Sequence, residues 1–168
     1  MVRRFLVVLL GALVAAGCTD AATDPQPPSG AARDAAVLTA VISSVAELAP
    51  EPEVAPVVYA VGIQGTLEIE VQAAVAMSLM GLCDLRFADD SSEAFEEVDG
   101  ELRLREGATL LVIGSVASEG DQVEVPVTRY VAADFSEDLL VVANRQNLDW
   151  AVSDVTVVTV SSASSEND

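Results

Sequence analysis

The last third of the chain leaves little freedom in what it can fold into. From Gln122 to Val131 apolar and polar residues alternate, with Val123, Val125, Val127 and Val131 in one phase. A period of two is that of a pleated strand with one buried face. Ser136 to Arg145 gives a further strand through Leu139, Leu140, Val141 and Val142, and Leu148 to Val160 gives another after a turn at Asn144–Asn147. In that last strand Trp150 and Val152 share one phase while Val155 and Val157 share the other, so the slip near Ser153-Asp154 predicts a β-bulge. Residues 108–117 form an earlier strand, bent at Gly114, and Glu119-Gly120-Asp121 turns it into the next. Pro126 has no N–H to give a ladder, which predicts an edge or a bulge in its strand. Strands joined by short turns make an antiparallel meander.

A sheet with one apolar face needs a cover. Val37, Leu38, Val41, Ile42, Val45 and Leu48 recur at helical spacing, which predicts a helix over about 34–48. Asp34 supplies a negative group at its start, and Pro50 and Pro52 stop it. Residues 56–63 (PVVYAVGI) read as a strand, buried on both faces or beside the helix. Leu67 to Val71 alternates like a strand, but the alanine- and methionine-rich stretch to Met80 favours a buried helix over 69–81, with Gly81 near its end. Residues 89–100 read as an acidic loop with one helical turn. The expected class is α+β: the N-terminal helix (about 34–48) and a second helix packed on an antiparallel meander sheet of about four to five strands.

The N-terminus has a different character. Met1-Val2-Arg3-Arg4 is a short cationic segment, and Phe5 to Ala16 is apolar or small throughout. This is the layout of an export signal, and it is shorter than the roughly 20 residues needed to cross a bilayer as a helix. Ala15-Ala16-Gly17-Cys18 closes the run and resembles the lipobox of bacterial lipoproteins, with Ala15 where that family favours Leu. The resemblance implies diacylglyceryl transfer to the Cys18 sulfur and cleavage between Gly17 and Cys18. With Thr19 after the cysteine, it also implies outer-membrane delivery in a cell with two membranes. Two or three acyl chains hold a protein stably on a bilayer, whereas one does so only marginally. Ordinary secretion with Cys18 as a bystander is the alternative. Residues 19–30 (TDAATDPQPPSG) are small, polar and proline-rich, as in an extended tether. The expected organisation is a signal peptide over 1–17, a lipidated cysteine and tether over 18–30, one domain over 31–160 and a disordered tail over 161–168.

Composition removes most enzyme designs. The chain has no histidine, and its eight basic residues are all arginine. Histidine- and lysine-dependent nucleophilic triads and Schiff bases are therefore absent, and one cysteine besides Cys18 does not build a zinc site. No glycine-rich phosphate loop occurs. Carboxylate pairs remain the one acid–base option, and with 27 acidic residues chance proximity is common. Asp89, Asp90 and Glu93, in a run continued by Glu96, Glu97 and Asp99, are the only metal candidates. They lack the EF-hand spacing and read first as a solvated loop. The formal charge is −19, and losing Arg3 and Arg4 with a leader makes it −21. Such a field repels nucleic acid and anionic headgroups. Cys83, among Met80, Leu82 and Leu85, reads as a small buried hydrophobe, and Trp150, Tyr130, Tyr59 and Phe135 read as core fillers.

The order of elements resembles uncharacterised bacterial secreted or lipoprotein α+β domains, a range that includes nuclear-transport-factor-like cones. The resemblance carries no catalytic residues and no cofactor. The expectation is a lipid-anchored envelope protein that is not an enzyme, whose domain binds or supports another component. Its expected partners are the bilayer, through acylated Cys18, and an envelope protein, with no nucleic acid. A small-ligand binder with an apolar pocket between sheet and helices is the alternative, and a carboxylate enzyme is the third reading.

Overall fold

The computed structural model describes residues 30–50, 52–63, 67–116 and 120–162. The leader, Gly17, Cys18, the tether up to residue 29 and the tail from 163 lie outside the described residues. In chain order the elements are α1 (Ala31–Val45), β1 (Val57–Gly62), α2 (Ile69–Ser78), β2 (Asp84–Phe87), a 3-10 turn (Ser91–Ala94), β3 (Phe95–Val98), β4 (Glu101–Leu104), β5 (Ala108–Ile113), β6 (Gln122–Ala132), β7 (Phe135–Gln146) and β8 (Asp149–Ser162).

The class is α+β, but the sheet is wider than the expected meander and it is mixed. Six strands lie in the order β2-β1-β5-β6-β7-β8, and β3 pairs with β4 as a separate hairpin. From β5 to β8 neighbours run antiparallel, with two-residue turns between β6 and β7 and between β7 and β8. β1 runs parallel to both β2 and β5. Its return to β2 passes through α2, the crossover that parallel pairing requires.

The sequence reading missed β2 and β3 and placed no separate strand at β4. The 3-10 turn falls inside the expected acidic loop, but the residues after it form β3 and reverse at Asp99-Gly100. Both turn residues have positive φ, 55° and 84°, as a two-residue hairpin turn of right-handed twist demands.

The sheet's two faces are covered differently. Val58, Ala60, Leu111, Ile113, Val123, Val125, Val127, Leu139, Val141 and Ala143 join the α1 stripe and the inner face of α2 in the main core. On the opposite face Tyr59, Val61 and Leu110 pack with Ala88, Ala94, Phe95, Leu104 and Tyr130, under the β3–β4 hairpin. β1 is thus buried on both sides, which is why its sequence is a continuous apolar run.

α1 begins at Ala31, three residues before the expected Asp34, because the Gly30 carbonyl accepts from the Asp34 N–H at 3.0 Å. It ends at Val45. Glu47 adopts a left-handed φ of 53°, and its N–H donates to Ser44 while that of Leu48 donates to Ser43. That pair of bonds is a Schellman C-cap, with Leu48 turned onto the core.

β6 is an interior strand, not an edge. Pro126 pairs with Leu140 on β7, while the β5–β6 ladder starts only at Ile113–Val127. Pro126 therefore sits where β5 has run out, so its missing N–H leaves no strand partner unsatisfied. β7 continues to Gln146, and the turn is Asn147-Leu148, with Asn147 at φ 60°. The bulge expected near Ser153-Asp154 is present: the register jumps between Val142–Asp154 and Ala143–Val152. It returns Val155 and Val157 to the face occupied by Trp150 and Val152.

Candidate functional site

α2 carries the most unusual surface. Its sequence, IEVQAAVAMS, carries apolar residues on every side, with Glu70 and Gln72 as its polar breaks. Val71, Val75 and the following Leu79, four residues apart, are buried against the main core. On the other side Ile69, Met77 and Met80 are 75%, 73% and 77% exposed, and exposed Ala73 completes the row. The reading of a buried helix is thus half right. The unbranched Met side chains adapt to differently shaped partners, and rows of exposed large apolar groups mark contact surfaces. The signal in the sequence was the absence of a polar face on α2.

A polar groove of about 430 Å³ opens on the hairpin side of the sheet, lined by Tyr59, Arg86, Phe87, Ala88, Glu93 and Arg105. Arg86 Nη1 donates to the Tyr59 hydroxyl at 3.1 Å, and its Nε and Nη2 donate to Asp84 Oδ2 at 3.1 and 2.6 Å. The guanidinium stands 5.6 Å from the centre of the Tyr59 ring. Bonding to Asp84 first, then to Tyr59, raises the Arg86 pKa above its ordinary value. Arg105 Nε donates to the Glu93 carbonyl at 3.0 Å and its Nη1 to Glu96 at 3.4 Å. Both guanidinium groups that line the groove are thus held by the chain's own acceptors.

The acidic candidates serve the local backbone. Asp90 Oδ1 accepts from the Ser92 N–H at 2.7 Å, capping the 3-10 turn, and this bond lowers the Asp90 pKa. Glu93 Oε1 accepts from the Asp89 N–H at 3.2 Å. Among the described residues no group of three or more His, Cys, Asp or Glu side chains is placed to hold a metal ion.

Cys83 is buried in the main core. Burial, with Asp84 beside it, pushes its thiol pKa up, so it is a poor nucleophile there. Trp150 is 92% buried with the Arg33 guanidinium 5.2 Å from its ring centre. Beside it a groove of about 380 Å³ runs between α1, the end of α2 and the start of β8. Two groups at that groove, Trp150 Nε1 and Thr39 Oγ1, are buried without a hydrogen-bond partner among the described residues. Phe95 meets Tyr130 edge-on, with ring centres 6.2 Å apart.

No described helix is long and apolar enough to cross a membrane. No family model, no curated protein and no solved structure matches this chain.

Proposed function

We propose that this chain is a membrane-anchored bacterial lipoprotein of the cell envelope, whose α+β domain is a non-catalytic binding module. The anchor reading rests on the export layout ending in Ala15-Ala16-Gly17-Cys18. The binding reading is carried by the outward face of α2, where Ile69, Ala73, Met77 and Met80 form an uncharged row on a strongly acidic molecule. A partner protein with a complementary apolar surface covers that row. The proline-rich segment before α1 gives the domain reach from the bilayer.

The experiment is cross-linking and pull-down from native membranes, with a photo-reactive residue at the exposed position 73 and a Cys18→Ser variant as the unanchored control. A discrete cross-linked partner, lost in a Met77→Glu variant, supports the binding reading; an unchanged cross-link pattern defeats it. Acyl groups on Cys18 by mass spectrometry, and release of Cys18→Ser to the soluble fraction, support the anchor. An unmodified Cys18 defeats it.

A second reading draws on the Trp150 groove. Thr39 and Trp150 line its partly apolar wall, and behind that wall their Oγ1 and Nε1 are buried and unpaired, polar groups that a ligand reaching past the wall would satisfy. A ligand seated there changes the emission of Trp150, the chain's single tryptophan, and raises the melting temperature by mass action.

A further inference from the structure

The six-stranded sheet ends differently at its two edges. β2 is four residues long and carries Asp84 and Arg86, the short, charged form in which an exposed edge resists pairing. β8 is 14 residues long and, among the described residues, hydrogen-bonds β7 alone. Its first part is guarded by Asp149, Asp154 and the bulge at Ser153. The rest, Val155 to Ser162 (VTVVTVSS), contains no charge and no proline. A second slip, at Val158, bends the strand but adds no charge. Val155, Val157 and Val160 lie opposite Val141, Leu139 and Glu137, on the helix side. They are 40%, 52% and 53% exposed, and Val158 is 65% exposed. Such a stretch offers about 26 Å of unpaired backbone, lined by valine, in a chain of formal charge −19.

We propose that β8 pairs antiparallel with β8 of a second copy through residues 155–162, joining two six-stranded sheets into one. A two-fold axis sets the same patch against itself, so each copy supplies what the other lacks. Side chains directly opposite in an antiparallel pair share a face, and the helix-side valines of one copy meet those of the other. The charge pattern selects this partner. In this run uncharged residues face uncharged residues, while Asp154 of each copy falls at the ends of the shared ladder. The chain's own residues 19–30 are a poor substitute, because Pro25, Pro27 and Pro28 have no N–H to give. A strand-only contact lies at the small end of specific interfaces, so the dimer is reversible. Net negative charge opposes it, and salt strengthens it as the Debye length falls from about 10 Å at 0.1 M to about 3 Å at 1 M.

This inference does not rest on the anchor. Single cysteines are placed in turn at positions 155–162 of the full chain, in a Cys18→Ser background, and oxidised in intact cells. Two-fold pairing gives disulfide dimers at one or two adjacent positions and little on either side. In detergent solution the otherwise unaltered full chain sediments as a monomer–dimer mixture that shifts toward dimer in 1 M salt. Val157→Asp weakens the dimer about tenfold with Trp150 emission unchanged, and mixing it with Val160→Lys, which falls opposite it in the partner, restores a heterodimer. A flat or empty cysteine profile, with a monomer up to about 100 µM at both salt levels, overturns the proposal. So does cross-linking at these positions to a different protein alone.

Discussion

Arg129 Nη1 donates to the carbonyl oxygen of Val45 at 3.0 Å, tying β6 to the last turn of α1 across 84 residues of chain. The same nitrogen reaches Glu47 at 3.1 Å, and Nε and Nη2 both donate to Glu137 on β7. One side chain therefore closes the C-terminus of the helix and fixes its position over two strands. Burial opposes the Arg129 charge, but the Glu137 and Glu47 carboxylates outweigh it and raise its pKa.

Arg129→Met removes that closure and leaves Glu137, a mostly buried carboxylate, without its partner. The expected loss is about 2–4 kcal/mol, because the cost is dominated by the stranded charge. Arg129→Lys recovers only part of it, since an ammonium cannot keep the Nε–Nη2 fork while also reaching Val45. Urea unfolding checks both variants. Full recovery in Arg129→Lys would show that charge alone, without geometry, holds the contact.

Glu47 occupies the left-handed position of the Schellman cap, where glycine is the unstrained residue. Glu47→Gly gives up an exposed ion pair with Arg129, worth a few tenths of a kcal/mol. The net expectation is stabilisation by about 0.5 kcal/mol, read as a higher urea midpoint at unchanged slope. A lower midpoint would mean that the Arg129 contact matters more than the backbone conformation.

The elements the sequence revealed are those long enough for burial to set a pattern, whether one-sided or, as in β1, a continuous apolar run. Val123, Val125 and Val127 alternate because one face of β6 meets the main core, and Val37 to Val45 repeat at helical spacing because one side of α1 does. The bulge at Ser153 was legible because a bulge is a phase error in the alternation itself. β2 and β3 were not legible in the same way. Each is four residues long with none of the four fully buried, too short for a period to emerge. Asp99-Gly100 was the available clue to the hairpin. The parallel insertion of β1 left no local trace, since strand order depends on contacts across the chain. For α2 the composition was visible, but apolar residues on every side gave no hint of which would be left in water.

Gly114 is required by a close approach. A Cβ there would stand 2.5 Å from Pro126 Cγ and 3.0 Å from the Pro126 carbonyl oxygen, at the point where β5 ends and the Gly114 N–H donates to that same oxygen at 2.8 Å. Gly114→Ala is expected to destabilise by about 1–3 kcal/mol through overpacking. Pro126→Ala removes the ring carbons but not the carbonyl, so the double variant recovers part of the loss. A double-mutant cycle of about 1 kcal/mol or more measures that coupling. Additive losses would place the strain elsewhere.

Cys83 gives a pH-dependent reading of the core. Its pKa is raised by burial, with Asp84 adding to the effect, so the folded state favours the neutral thiol. In the unfolded chain the thiol ionises at about pH 8.5. Below that value the contribution is fully present; it declines as pH rises through the unfolded pKa and is lost at the higher folded value. Stability should therefore fall with pH above about 8.5, and Cys83→Ala should flatten that slope while costing some packing. Native alkylation with iodoacetamide should be slow at pH 8 and become rapid in urea, because reagent reaches the sulfur only after opening. Fast native labelling, or a slope unchanged by Cys83→Ala, would place the thiol at the surface.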